Sequence, residues 1–172
     1  MRKVGREIIR KQLNTFKNLN LPSVKLGIKT LNNSAYEKFC YVVDIDGTVA
    51  EKGNRNPFDW KKVLEDAPRE NIVHLINELS ISADIIFCSG RDEVCRKETE
   101  EWLKYHFPLV NFKLLMRTEG DNRPDWIIKE ELWNSLVSEG YYIKALVDDR
   151  NQVVRRARSL GLDVLQVQYG NF

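Results

Sequence analysis

The sequence predicts an α/β fold, a three-layer doubly wound parallel sheet, and three observations predict it. Short continuous apolar runs recur along the chain. Longer stretches with a helical period separate them, and the residues able to do chemistry stand where the apolar runs end. Continuous apolar runs bounded by polar turns suit strands buried on both faces. Strands that alternate with helices suit a parallel sheet covered on both sides. Such sheets bind ligands beyond the carboxyl ends of their strands.

Taken in order, residues 2–19 read as a short basic amphipathic helix with Ile8, Ile9, Leu13 and Phe16 in a narrow apolar stripe. Leu21-Pro22 ends it, and the segment to about residue 36 reads as loop. Residues 39–43 form the first strand, which ends in Asp44. The other strands are expected at 85–88, 112–116, 143–147 and 164–167, with helices at about 68–80, 92–105, 126–139 and 150–159. No internal repeat or low-complexity segment interrupts this order. A chain of 172 residues suits one core, here assigned to residues 37–172 behind a basic N-terminal arm, residues 1–36.

Composition narrows the class. The chain is 42% hydrophobic and 30% charged, as expected of a folded soluble domain. No apolar run reaches the length that spans a bilayer, and the N-terminus lacks an apolar signal region, so a cytoplasmic protein without a membrane partner is expected. Cys40 and Cys88 lie in apolar runs and Cys95 follows a turn; none has CxxC spacing, which argues against a zinc site or a disulfide framework. His74, within an apolar helical run, is expected in the core or at its boundary. Residues 1–38 carry nine Lys/Arg against two Glu, while the remaining 134 residues carry 18 basic and 23 acidic groups. A basic arm ahead of an acidic body suits a polyanionic partner, and equally a solvated tail.

The chemistry gathers at the strand ends. The first strand delivers Asp44, Asp46, Gly47 and Thr48, the second Ser89, Gly90 and Arg91, and the fourth Asp148 and Asp149. Lys129 stands near the start of the helix that opens at Arg123-Pro124-Asp125. Carboxylates crowded at one sheet edge repel unless a cation neutralises them, and Mg2+ suits a few carboxylates with waters and a substrate phosphate. A carboxylate can attack phosphorus to form an aspartyl phosphate, while a hydroxyl, backbone amides and a lysine hold the phosphoryl oxygens. Asp44 and Asp46, one residue apart on extended chain, point the same way, so one could attack while the other transfers protons. Each piece alone has a plainer reading. A DxD is often a turn and an Asp-Asp before a helix is often a cap; the order of all the pieces carries the signal.

That order resembles the four motifs of the haloacid dehalogenase (HAD) superfamily: Asp44-x-Asp46-Gly47-Thr48-Val49, then Ser89-Gly90-Arg91, Lys129, and Asp148-Asp149. The resemblance implies a HAD/Rossmann-like fold with Asp44 as nucleophile and Asp46 as general acid/base. It places Ser89 and Lys129 on the phosphate, and Mg2+ among Asp44, Asp46, Asp148 and Asp149. Only about 20 residues separate Val49 from the helix near Pro68, and no domain-sized insert precedes Lys129. The fold is therefore expected to be capless, with an open site suited to a polymer end or a protein side chain.

A narrower resemblance covers residues 41–172. Met116-Arg117-x-x-Gly120-Asp121-x-Arg123-x-Asp125-x-x-Ile128-Lys129-Glu130 is similar to the 3′-phosphatase domain of phage-type polynucleotide kinase-phosphatases. So are Arg55-x-Pro57-x-Asp59, Asp148-Asp149-Arg150 and Leu165-Gln166-Val167-x-x-Gly170-x-Phe172. It implies removal of a 3′-terminal phosphate from RNA or DNA, with Thr48, Arg55, Gly90, Arg91, Arg117, Arg123 and Asp125 at the substrate, and it permits action on a 2′,3′-cyclic phosphate. Planar guanidinium groups suit phosphate recognition; a surface ion-pair network is the plainer reading of the same arginines. The Gly-rich phosphate loop of the kinase half does not occur, so a stand-alone module served by a separate kinase or ligase is expected. Two alternatives are a HAD phosphatase acting on a nucleotide, sugar phosphate or phosphoprotein, and a silent protein that binds nucleic-acid ends.

Overall fold

The computed structural model describes residues 38–51, 53, 56 and 59–171. The basic arm, residues 1–36, and Arg55 lie outside them. Five strands, β1 (Lys38–Val43), β4 (Asp84–Asp92), β5 (Phe112–Arg117), β6 (Tyr141–Arg150) and β7 (Val164–Gly170), form one sheet in the order β5-β4-β1-β6-β7. All its pairings are parallel. Four α-helices connect and flank it: α1 (Glu70–Ser80), α2 (Arg96–His106), α3 (Asp125–Ser138) and α4 (Asn151–Ser159). The expected fold class is therefore found, with β1 in the centre of the sheet.

Side chains alternate across each strand, and the sheet's two faces are packed separately. Val43, Ile85 and Phe87 face one core with Ile72, Val73 and Ile76 of α1 and Trp102 and Leu103 of α2. Those helix positions recur at the spacing of one helical face. Val42, Ile86 and Leu146 have the opposite parity and are equally buried, as are Ile128, Trp133 and Leu136 of α3 and Val153, Val154 and Ala157 of α4. Truncating Trp102, which is 1% exposed, would cost about 3–5 kcal/mol by the usual cavity argument.

Several local expectations change. β4 continues through Ser89, Gly90 and Arg91 to Asp92, and β6 runs on to Arg150, where strands were expected to stop at 88 and 147. Backbone pairing with the neighbouring strands, after a register shift, keeps these polar residues extended. Between β1 and α1 the described residues hold a short antiparallel pair, β2 (Ala50–Glu51) with β3 (Ala67–Pro68), and a 3₁₀ turn at Trp60–Glu65. All three cysteines are free and buried. Burial, and then the neighbouring Asp84, pushes the Cys40 thiol up to about 12, consistent with an inert packing residue. His74 lies on the exposed face of α1 rather than in the core.

Candidate active site

The carboxyl ends of β1, β4 and β6 open into a cleft of about 890 Å3, lined among others by Asp44, Asp46, Arg91, Lys129, Asp149 and Arg150. Asp44 follows the last residue of β1, and its amide donates to the Val147 carbonyl at 2.9 Å. Its Oδ1 accepts from Lys129 Nζ at 2.7 Å and its Oδ2 from Thr48 Oγ1 at 3.1 Å. Gly47 turns the chain with φ +81°, a left-handed value that side chains resist. The Ile45 carbonyl then takes the amides of Thr48, Val49 and Ala50. This tight loop returns Thr48 to Asp44. Thr48, expected at the substrate, is wholly buried, and its hydroxyl donates to Asp44.

Lys129 is the centre of charge. It sits one turn after Asp125 on α3, is 2% exposed, and also donates to Asp148 Oδ2 at 2.8 Å with Asp125 Oδ2 at 3.5 Å. Burial opposes its charge, yet Asp125, Asp148 and Asp44 outweigh that and hold the ammonium well above the ordinary lysine range. Burial raises the Asp44 carboxyl well above the usual carboxylate range; Lys129 pulls it down, and Asp148 and Asp149 push it up again. Asp148 uses its other oxygen to accept the Arg150 amide at 2.9 Å, closing a turn just before α4.

One oxygen each from Asp44, Asp148 and Asp149 can be chosen so that all lie within 4.8 Å of one another, and all three residues are buried. Three hard oxygen donors with one lysine among them fit a small divalent cation better than a soft metal. These are the residues that could hold Mg2+. Asp46, expected in that set, is oriented elsewhere. Arg91 donates from Nε to its Oδ2 and from Nη2 to its Oδ1, both at 2.8 Å. Arg91 itself was expected on the substrate, but it is 1% exposed and also binds Asp66 Oδ2 at 2.7 Å and Thr99 Oγ1 at 3.3 Å. Its fork holds Asp46 at the mouth of the cleft.

The remaining predicted residues surround this centre. Ser89 is wholly buried, and its Oγ accepts the Arg91 amide at 3.2 Å. A Cβ on Gly90 would stand 2.3 Å from Asp125 Oδ1, so only glycine admits that carboxylate. Arg117 donates to the carbonyls of Gly90, Asp121 and Arg123 and to Asp125 Oδ1, strapping the loop before α3. Arg123 pairs with Asp121 and Glu131 at the exposed rim, in the manner of the surface network that was the plainer reading. Asp125 resists ionisation by burial, but Lys129, Arg150 and Arg117 hold it below the ordinary range.

Sequence reasoning left out Asp66, Thr99 and Arg150 from the site. Asp66 reads as an ordinary acid before a helix, and nothing local announces its burial or its bond to a residue 25 positions away. Arg150 follows the Asp148-Asp149 doublet and bonds Asp125 Oδ2 at 3.2 Å; its adjacency was the available signal.

Replacing Arg91 by Ala would remove the guanidinium that Asp66, whose side chain is 1% exposed, binds at 2.7 Å, and is expected to cost about 3–5 kcal/mol, as breaking a buried pair does. Arg91→Lys keeps the charge but not the fork, so urea denaturation should show partial recovery while phosphate release stays down on the order of tenfold or more. Full activity in Arg91→Lys would show that the fork does not position Asp46.

Comparison with known proteins decides the family. The family described as polynucleotide kinase PNKP phosphatase domain matches residues 38–172. The chain belongs to that family. A curated relative, the putative bifunctional polynucleotide kinase/RNA ligase of Autographa californica nuclear polyhedrosis virus, is 34% identical over 120 residues, covering 68% of this chain and 17% of that protein. A solved Pnkp1/Rnl/Hen1 RNA repair complex contains a chain 30% identical, with TM-score 0.74 over 87% of this chain and 48% of the other. A second structure of a Pnkp1/Rnl/Hen1 complex gives 30% identity and TM-score 0.73, covering 88% and 52%. The chain thus spans about half or less of the length of these relatives. The class C acid phosphatase from Bacillus anthracis, 18% identical with TM-score 0.50 over 78% of this chain and 67% of that one, shares the fold. The chain is thus a PNKP-type phosphatase domain of the HAD class.

Proposed function

We propose that residues 37–172 form a polynucleotide 3′-phosphatase that repairs RNA or DNA ends through an aspartyl phosphate on Asp44. The observation that supports this best is the buried Lys129 bridging Asp44 and Asp148, with Asp46 held on Arg91 across the mouth of an open cleft. A carboxylate oxygen of Asp44 forms a bond to phosphorus as the bond from phosphorus to the 3′ oxygen breaks. Asp46 supplies the proton that the departing oxygen needs, which leaves a 3′-hydroxyl. Asp46 then takes a proton from a water that attacks the same phosphorus, and the bond to Asp44 breaks to release phosphate. Lys129, Ser89 and the nearby backbone amides steady the phosphoryl oxygens. Mg2+ held by Asp44, Asp148 and Asp149, with Asp46 at the edge of that set, would offset the repulsion between an anionic nucleophile and an anionic phosphoryl group.

Among the described residues no helix is long and apolar enough to cross a membrane, and a cytoplasmic site of action with a separate kinase or ligase as partner completes the reading. The basic arm, residues 1–36, would add contacts to the nucleic-acid backbone.

The test is phosphate release in Mg2+ and in EDTA from a 3′-phosphorylated oligonucleotide, its 5′-phosphorylated isomer, a mononucleoside 3′-phosphate and an aryl phosphate. The expected result is Mg2+-dependent release favouring the 3′-phosphorylated oligonucleotide, with a KM that rises with salt as phosphate contacts are screened. Turnover of the aryl phosphate alone would retain a phosphatase and remove the nucleic-acid substrate.

A further inference from the structure

Asp149 differs from its two neighbours in the cluster. Lys129 donates to Asp44 and to Asp148, whereas among the described residues no ion pair reaches Asp149. What surrounds it is glycine. A Cβ added to Gly47 would stand 2.4 Å from Asp149 Oδ2 and 2.8 Å from its Cγ. A Cβ added to Gly170 would stand 2.8 Å from the Asp149 carbonyl oxygen and 3.0 Å from Oδ2. Ordinary contacts of a Cβ begin near 3.4 Å, so a methyl group on Gly47 would meet the Asp149 carboxylate, and one on Gly170 would meet first the Asp149 backbone carbonyl and then, less closely, Oδ2.

Gly47 has a second reason to be glycine in its φ of +81°. Gly170 does not: its φ lies outside the positive range, and it is a buried residue at the end of β7, paired with Arg150. The close approach of Asp149 is the reason the structure offers. The same strand supplies two amides: Gln166 Nε2 donates to the Asp149 carbonyl at 3.1 Å, and Gln168 Nε2 reaches Asp149 Oδ2 at 3.5 Å. Three residues of β7 therefore lie against one aspartate near the carboxyl end of β6.

We propose that Gly47 and Gly170 are positioning residues that set the Asp149 carboxylate into the metal cluster, which makes the end of β7 part of the metal site. This rests on the reading of Asp44, Asp148 and Asp149 as ligands. Residues that orient ligands usually matter about 10–100-fold in metal affinity.

The experiment is a Mn2+ titration of the full chain followed by electron paramagnetic resonance of free Mn2+, with thermal unfolding recorded in EDTA and in Mn2+. Gly170→Ala is expected to weaken Mn2+ binding about tenfold, beyond whatever fall in the EDTA midpoint the methyl causes against the Asp149 backbone carbonyl, and phosphate release should recover at saturating Mn2+. Gln168→Leu, at an exposed position, is expected to weaken binding by a smaller factor, and it decides the matter if Gly170→Ala fails to fold. Wild-type affinity in Gly170→Ala, or in Gln168→Leu where that variant decides, overturns the inference and leaves the metal site standing. Absence of Mn2+ binding by the wild-type chain overturns both.

Discussion

Asp44→Asn is expected to lower phosphate release by about four orders of magnitude or more, the scale on which loss of a covalent nucleophile acts, while the fold survives. Asn keeps the volume of Asp44; its one carbonyl oxygen can accept from Lys129, while the Thr48 hydroxyl can turn to accept from the amide nitrogen. It lacks the carboxylate oxygen that, on the proposed mechanism, bonds to phosphorus. Stability should change little, because two effects oppose. The substitution removes one ion pair with Lys129, and it also removes a buried charge that burial, Asp148 and Asp149 all disfavour. A phosphate-release assay beside urea denaturation separates the outcomes. Activity within tenfold of wild type in a folded Asp44→Asn protein would sink Asp44 as nucleophile. Loss of activity together with loss of the fold would mean that Asp44 contributes more to packing than its neighbours indicate.

What the sequence showed of this site was what local chemistry can encode. Asp44, Ser89 and Asp148 each follow a run of buried strand residues, and an apolar run that ends in a polar residue marks a strand end without reference to the rest of the chain. Lys129 was legible through its place near the start of a helix and through the motif order that resembles the HAD superfamily. The pairings were not legible, because they depend on which strands are neighbours. Arg91 meets Asp46 and Asp66 from a different strand, so a residue that reads as a phosphate ligand is in fact enclosed between two carboxylates. Thr48 reads as a hydroxyl open to substrate until the turn at Gly47 folds it back on Asp44. Strand lengths were underestimated at β4 and β6 for a similar reason: the ladder with adjacent strands, not side-chain apolarity, keeps Ser89–Asp92 and Asp148–Arg150 extended. Gly170 stood out only through the resemblance that covers residues 165–172, and its role was not legible, since its partner Asp149 belongs to the adjacent strand.

Lys129→Met should reduce folding stability in EDTA by about 3–5 kcal/mol, as removal of one partner from a buried charge cluster does, and should make what remains depend on a divalent cation. The ammonium lies 2.7 Å from Asp44 and 2.8 Å from Asp148, both buried. Arg117 and Arg150 contact Asp125, so they do not take over the charge of Asp44 and Asp148. Because the folded Lys129 holds its proton more tightly than an unfolded lysine, its contribution is fully present below about pH 10 and is lost only above that. The wild-type contribution is therefore constant from pH 6 to 9 (roughly, on the ordinary lysine value). The variant behaves differently, since its uncompensated carboxylates gain protons as pH falls, and acidification should narrow the deficit. A divalent ion bound by Asp44, Asp148 and Asp149 would replace part of the missing charge. It stabilises by RT ln(1 + [M]/Kd), so the rise in unfolding midpoint between EDTA and millimolar Mg2+ should be larger in Lys129→Met than in the wild-type chain, although phosphate release stays abolished. Equal metal-induced shifts in the two proteins would separate Lys129 from the metal cluster and reduce it to a ligand of the substrate phosphate. A larger shift without restored activity would assign it both tasks, countercharge in the resting site and anchor for the transferring group.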